Sequence, residues 1–452
     1  MTHTTSHRRP ALRRIAATFA LLACMSVPAT AQDLGVKAPP QRHPVLIRDV
    51  TVHPVSADVI ASGWILFEGG VITGVGSGQP PRVPGDTEVI DGAGRHVYPG
   101  LIGANTVMGL MEIGSVRATI DYAETGSVTP EVRAAVSVNP DSTIIPVTRS
   151  NGILTVAVLP VGGVIPGRPS VIRMDGWTWE DLAIDPEAGL LINWPNVRPA
   201  RFPGMRRSEA EQMERVRQSI QAIDDAFDEA AAYFAARTAD SGTPVDIRLE
   251  AMRAVMEGGD PVFIRANAAE QIQSAVAWAA RRGFPVVIVG GSDAAECTDL
   301  LLRHDVGVIV TGTHVLPSRR DNDYDECFTL PAKLEAAGVR WCLGTPGGSF
   351  LTPHERNLPY HAATAVAYGL DHDAALRSIT LSAAELLGVG DRLGSLEADK
   401  AATLILTDGD PLEITTHVQR AFIDGREIDL ANKQTALYEK YREKYRQLGL
   451  IP

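Results

Sequence analysis

Cysteine is scarce, with four in 452 residues. That excludes a disulfide scaffold, which needs dense, regularly spaced pairs. Basic charge is also short: 42 Lys and Arg stand against 54 Asp and Glu, a net charge of −12. A nucleic-acid partner needs a basic surface, so that class is excluded. Long apolar runs are missing too. The run at residues 15–27 is too short to span a bilayer, and no other segment approaches that length. What is present is 45% hydrophobic and 21% charged residues, enough for a sizeable core and far from a disordered composition. The length suggests two or three domains, or one large barrel with an accessory lobe.

The N-terminus reads as a targeting segment. Arg8, Arg9, Arg13 and Arg14 precede the apolar run, and Ala29-Thr30-Ala31 fits a small-x-small cleavage site. The expectation is a signal peptide over residues 1–31, giving a periplasmic or secreted chain with no stable membrane insertion. The alternatives are a short buried helix, or a lipoprotein anchored through Cys24 after Leu21-Leu22-Ala23. Cleavage removes four Arg and no acid, moving the net charge from −12 to −16. It leaves Cys297, Cys327 and Cys342, which can form at most one disulfide.

Residues 44–100 carry short β-rich runs separated by Glu68-Gly69-Gly70 and Asp91-Gly92 turn signals. The pattern returns at 403–406 and 418–423. The expected arrangement is one small β-sandwich built from residues 44–100 plus 391–430, with 101–390 inserted between them. That middle stretch holds continuous apolar runs at 153–159, 262–264, 286–289, 306–310 and 339–343, with helical segments between several of them. Such runs suit strands buried on both faces of a parallel sheet. The expected fold is α/β: a TIM-like (β/α)8 barrel carrying the sandwich. Ser208-Glu209-Ala210-Glu211 is a capping box opening a helical insertion over about 205–240, with Met213, Val216, Ile220, Ile223 and Phe227 on one face. The helix within 431–452 aligns Tyr438, Tyr441 and Tyr445, which predicts packing against the domain.

Tyr98-Pro99-Gly100-Leu101-Ile102-Gly103-Ala104-Asn105-Thr106-Val107 resembles the first barrel strand of the metal-dependent amidohydrolase superfamily, in its imidazolonepropionase-like branch. There the pattern is Pro-Gly-Leu-Ile-Asp-x-His-x-His. Asn151-Gly152-Ile153-Leu154-Thr155, Asn357-Leu358-Pro359, Ala374 to Thr380, and Arg392-Leu393-Gly394-Ser395-Leu396-Glu397 resemble further elements of that family. The resemblance covers residues 45–428. It implies metal-dependent hydrolysis of non-peptide C–N bonds, with zinc or another divalent ion lowering the pKa of a bound water.

The ligand positions that the resemblance implies are occupied by Asn105, Val107, Arg265, Gly290 and Pro346. Asn is a weak neutral ligand, Val, Gly and Pro offer no side-chain donor, and the fixed cation of Arg repels a metal. No His-x-His, His-Glu-x-x-His or Gly-x-Ser-x-Gly spacing supplies a replacement. Gly162, Gly163 and Gly167 lack the strand–helix context of a phosphate loop and read as a loop with unusual backbone angles. His314, His354 and His361 read as solvated residues near the late strands. Asn105, Arg265, Asn267 and Thr345 are the expected pocket-lining residues, and Glu112 and Arg117 follow the first strand. Arg265 is expected to meet a carboxylate, within the protein or on a ligand. Catalytic residues stay unknown and no cofactor is expected. The reading is an exported pseudoenzyme: a binding protein or a non-catalytic subunit, partnered by an active homologue or its own copy. The alternative is an active hydrolase of a cyclic amide or related C–N bond with a rearranged site.

Overall fold

A computed structural model describes residues 33, 35–199 and 206–452. The expected signal segment, Cys24 and the first residue of the helical insertion lie outside the described residues.

The N-terminal strands are β1 (Val45–Val52), β2 (Ile60–Glu68), β3 (Val71–Ser77), β4 (Glu88–Asp91) and β5 (His96–Pro99). Gly69 and Gly70 turn β2 into β3 at φ of 60° and 86°. Two successive left-handed residues make the hairpin turn whose twist matches the strands. The central strands are β6 (Leu101–Thr106), β7 (Ile153–Val158), β8 (Ser170–Arg173), β9 (Ala183–Asp185) and β10 (Leu190–Asn193). They continue with β11 (Val262–Ala266), β12 (Val286–Gly290), β13 (Gly307–Val310) and β14 (Trp341–Leu343). Near the C-terminus come β15 (Leu404–Thr407), β16 (Val418–Ile423) and β17 (Arg426–Glu427).

Strands from both chain ends share one sheet, in the order β17-β16-β15-β5-β1-β2-β3 with β4 beside β1. β15 lies antiparallel to β5, with Leu404 opposite Pro99 and Thr407 opposite His96. Ile47, Ile65, Phe67, Ile72, Val97, Leu404, Leu406 and Phe422 fill its core. The strands form one continuous hydrogen-bonded sheet of eight strands, curled so that Phe67 of β2 meets Phe422 of β16 at a ring-centroid distance of 5.1 Å across the core.

The central strands form two parallel arcs, β6-β7 and β10-β11-β12-β13-β14. Ile102, Ala104, Leu191, Phe263, Val287, Val289, Ile309 and Cys342 make one apolar cluster with Ala383, Leu386 and Leu387. The opposite strand faces bury Ile264, Ile288, Val308 and Leu343 against the surrounding helices. This inside-and-outside burial explains the continuous apolar runs. The arcs do not close into one ladder among the described residues. At one seam the 160s loop bridges them, with Asn193 N donating to Val164 O and Leu191 N to Gly167 O. At the other, side chains of Asn105 and Thr345 join β6 to the residues after β14.

Helix α1 (Glu209–Ala239) opens on the expected capping box, with Ser208 and Glu211 each accepting from the other's backbone N–H. It buries Ile223, Ala226, Phe227, Ala230 and Tyr233, while Met213, Val216 and Ile220 are only half-buried. Phe227 sets its edge on Trp278 of α2 (Ala269–Arg282) at a centroid distance of 5.1 Å. The insertion therefore packs on the barrel's outer layer.

The last helix corrects an expectation. α3 (Lys433–Gln447) buries no residue, and Tyr438, Tyr441 and Tyr445 are 65%, 49% and 45% exposed. Its helicity is sustained locally by the Asn432 capping box and by the Arg442–Glu439 and Arg446–Glu443 pairs rather than by packing.

Candidate functional site

The C-terminal ends of the parallel strands, where this architecture carries chemistry, hold two separate groups of polar residues. The first lies at the β6–β14 seam. Asn105 Nδ2 donates to Thr345 O at 3.0 Å, and the Thr345 hydroxyl donates to Glu355 Oε2 at 2.5 Å. The hydroxyls of Thr106 and Thr352 lie 3.3 Å apart, and Val107 N donates to Thr352 Oγ1. Val107's side chain is buried in the outer core. Glu355 is fully buried, and its Oε1 has no hydrogen-bond partner among the described residues. Burial pushes its carboxyl up to about 7, against the opposing pull of the Thr345 hydrogen bond and the neighbouring Thr106 hydroxyl.

The second group surrounds Arg265 at the end of β11. Its Nη1 donates to Pro160 O at 2.9 Å and to Asn193 Oδ1 at 3.2 Å. Both acceptors are neutral, and no ion pair to Arg265 forms among the described residues. The expected internal salt bridge is therefore absent. Asp293 pairs with Arg319, and Glu112 accepts from Thr143 N. Burial lowers the guanidinium to about 10, which still leaves it charged at neutral pH. Asn193 also holds the 160s loop, donating through Nδ2 to Gly162 O at 3.0 Å and Gly163 O at 2.9 Å. A Cβ on Gly163 would lie 2.5 Å from Ser127 O, and one on Gly167 2.7 Å from Val132 O. Those glycines permit close loop packing over the mouth, as their positive φ values require.

The remaining predicted positions are used structurally. Gly290 has φ 118°, and a Cβ there would lie 2.4 Å from Asn267 Oδ1. Asn267 is exposed and accepts from Ser292 Oγ at 3.1 Å. Pro346 is half-buried beside Gly312 and His361. His361 corrects another expectation, because it is buried rather than solvated. Its Nδ1 accepts from the backbone N–H of Thr313 at 3.0 Å and of His314 at 3.1 Å. That places any ring proton of the neutral form on Nε2. Burial and the neighbouring His314 lower its pKa to about 3. His314 stacks on it and is itself exposed, and His354 is exposed in a 3-10 turn. Glu112 is half-buried, and Arg117 is exposed and donates to Ile120 O.

These donors do not fit a divalent ion. Among the described residues no three His, Cys, Asp or Glu side chains converge to hold a metal. Asn105's amide nitrogen is spent on Thr345, Arg265 is cationic, and Val107, Gly290 and Pro346 offer no donor. The structure brings Asn105 and Thr345 together, and separately Asn267 and Gly290. No hydrogen bond among the described residues links Arg265 to either pair. A cavity of about 520 Å³ lies at the opposite end of the strands, lined by Pro261, Val286, Val306 and Leu386.

Residues 316–428 match the Amidohydrolase family. Over 390 residues, the chain is 25% identical to the amidohydrolase tasK of Hapsidospora irregularis, covering 80% of this chain and 39% of that protein. The crystal structure of an amidohydrolase from Thermotoga maritima is similar over 85% of this chain and 99% of its own, with 25% identity and a TM-score of 0.74. Together these similarities support the amidohydrolase superfamily for this chain. Molinate hydrolase shares this amidohydrolase fold over 88% of this chain and 96% of its own, at 16% identity and a TM-score of 0.54. The chain spans well under half the length of its curated amidohydrolase relative.

Sequence reasoning missed Glu355, Asn193 and the carbonyl of Pro160. One signal pointed toward Glu355. Gly103 stands where the resembled amidohydrolase pattern has Asp, and a strand residue without a side chain leaves room for a carboxylate from elsewhere in the chain. Nothing in sequence locates that replacement.

Proposed function

We propose that this amidohydrolase-superfamily chain is an exported, metal-free member, acting as a binding protein or non-catalytic subunit whose barrel mouth takes a small carboxylate on Arg265. One observation carries this reading: a charged guanidinium, held by two neutral acceptors, stands at an expected metal-ligand position. Desolvating an uncompensated cation costs several kcal/mol. A carboxylate offsets that cost through charge-assisted, bidentate hydrogen bonds. As a subunit, the chain would pair with an active homologue or a second copy.

The test is calorimetric titration of wild type and Arg265→Met with acetate, N-acetyl amino acids and dipeptides, alongside metal analysis. The expected result is saturable carboxylate binding that Arg265→Met weakens at least about tenfold, the loss of one good charged hydrogen bond. Metal should be substoichiometric. One tightly held zinc per chain, or equal binding by the variant, overturns the proposal.

A second reading, hydrolysis of a cyclic amide or related C–N bond without the family's metal, rests on Glu355. A carboxyl poised at about 7 with one uncommitted oxygen matches the pKa that general acid–base catalysis requires. If a panel of cyclic amides and acyl amino acids shows no turnover, or turnover that survives Glu355→Gln, this reading is abandoned.

A further inference from the structure

Helix α3 has a sided surface that no part of the described chain covers. Leu437, Tyr441, Tyr445 and Leu448 recur at helical spacing, with Tyr438 at their edge. They are 50%, 49%, 45%, 60% and 65% exposed in that order, and the apolar surface continues into Leu450 and Ile451. Among the described residues, only the start of the helix is tied down, through Asn432 to Ser150 and Lys433 to Thr143.

The charges around this stripe are sorted. At about 100° per residue, Lys433, Lys440 and Lys444 border one side of it and Arg442 the other, while Glu439 and Glu443 fall on the opposite face. Arg442 pairs with Glu439 at 3.3 Å and Arg446 with Glu443 at 2.6 Å. Lys440 and Lys444 have no ion pair among the described residues. Lys444 instead lies 5.8 Å from the centre of the Tyr441 ring. The helix thus presents a net cationic, tyrosine-rich face on a chain whose total charge is −12.

We infer that α3 docks the protein on an anionic phospholipid surface, lying in the interface rather than crossing it. The charge pattern selects this occupant. A bilayer surface offers anionic headgroups to the lysine rim and an apolar boundary to the Leu and Tyr side chains, while the glutamates face water. Lysine stems reach along the apolar zone with their ammonium groups at headgroup level, and tyrosine rings suit that boundary. A second copy fits less well. Two-fold packing of one stripe on another brings the two lysine rims together, so like charges face each other. Among the described residues no helix is long and apolar enough to cross a membrane.

The full chain is tested by co-sedimentation with vesicles of phosphatidylcholine alone and of an equal mixture with phosphatidylglycerol. The expected result is pelleting with the mixed vesicles that fades as salt rises. Lys440→Gln and Lys444→Gln should each weaken it about fivefold. Tyr441→Ser should weaken it as well. These side chains are exposed, so unchanged thermal melts should show that the variants fold. Comparing variants with the parent chain separates the helix from the apolar run at residues 15–27, which all of them share. Equal pelleting with neutral vesicles, or variants that pellet like the parent, overturns the inference. So does a dimer in light scattering that the lysine variants strengthen, because it assigns the stripe to a second copy.

Discussion

The carboxylate of Glu355 fills the space that a side chain on Gly103 would need. A Cβ at Gly103 would lie 2.4 Å from Glu355 Oε1 and 3.2 Å from Val156 Cγ1. The amidohydrolase pattern carries an acid on the strand at this position. Here an acid arrives from the short 3-10 turn after β14 and lies against the strand from outside it.

Gly103→Ala should therefore destabilise the fold by roughly 1–3 kcal/mol, the range for overpacking a tight core. Chemical denaturation measures it. Combined with Glu355→Ala, the glycine substitution should cost less than it does alone, because its clash partner is gone. Strictly additive losses would show that the two side chains do not compete for one space.

Glu355 also predicts a pH dependence. Its folded pKa is raised to about 7 from an ordinary 4.5. Below 4.5 both folded and unfolded chains hold the proton, so the group contributes no slope. Between 4.5 and 7 only the folded chain holds it, so stability falls as pH rises. The full effect is on the order of 3 kcal/mol, reached above pH 7. Glu355→Gln keeps an acceptor for Thr345 and should remove this slope. An unchanged pH–stability curve in the variant would count against a raised pKa.

His361 acts with the opposite sign. Its folded pKa is lowered to about 3 from an ordinary 6.5. Its contribution is fully present above pH 6.5 and is lost as pH falls toward 3, by at most about 5 kcal/mol. Between 4.5 and 6.5 the two groups oppose each other, so the single variants reveal slopes that the parent chain partly hides. His361→Asn offers an oxygen to the Thr313 and His314 N–H groups without titrating, and should flatten the acid side of the curve. If acid unfolding is as steep in that variant, another group drives it.

Zinc or manganese added to the purified chain should leave its melting temperature unchanged, and chelators should do the same. A ligand that binds only the folded state raises stability by mass action, so a true metal site must shift the melt. The double substitution Asn105→His and Val107→His should not create such a site, since Arg265, Gly290 and Pro346 remain and Val107 is buried in the outer core. A metal-dependent rise in melting temperature, in either protein, would contradict the donor inventory.

Much of this protein is legible from sequence alone, because the features concerned are local. Apolar runs placed the parallel strands, since burial on both faces demands such runs. The Ser208 box marked the start of α1, since its partners are three residues apart. Asn105, Val107, Arg265, Gly290 and Pro346 were singled out as candidate positions by resemblance to one strand motif and its companions. Only tertiary structure decided what those residues do. It set the Glu355 carboxylate against Gly103 across 252 positions, buried His361 beneath two backbone N–H groups, and gave Arg265 neutral partners where a salt bridge was expected. It also left the tyrosines of α3 uncovered, although their spacing suits packing. Periodicity fixes which residues share a face, because the backbone repeats over a few residues. What covers that face depends on contacts between distant segments, and short-range spacing carries no record of them.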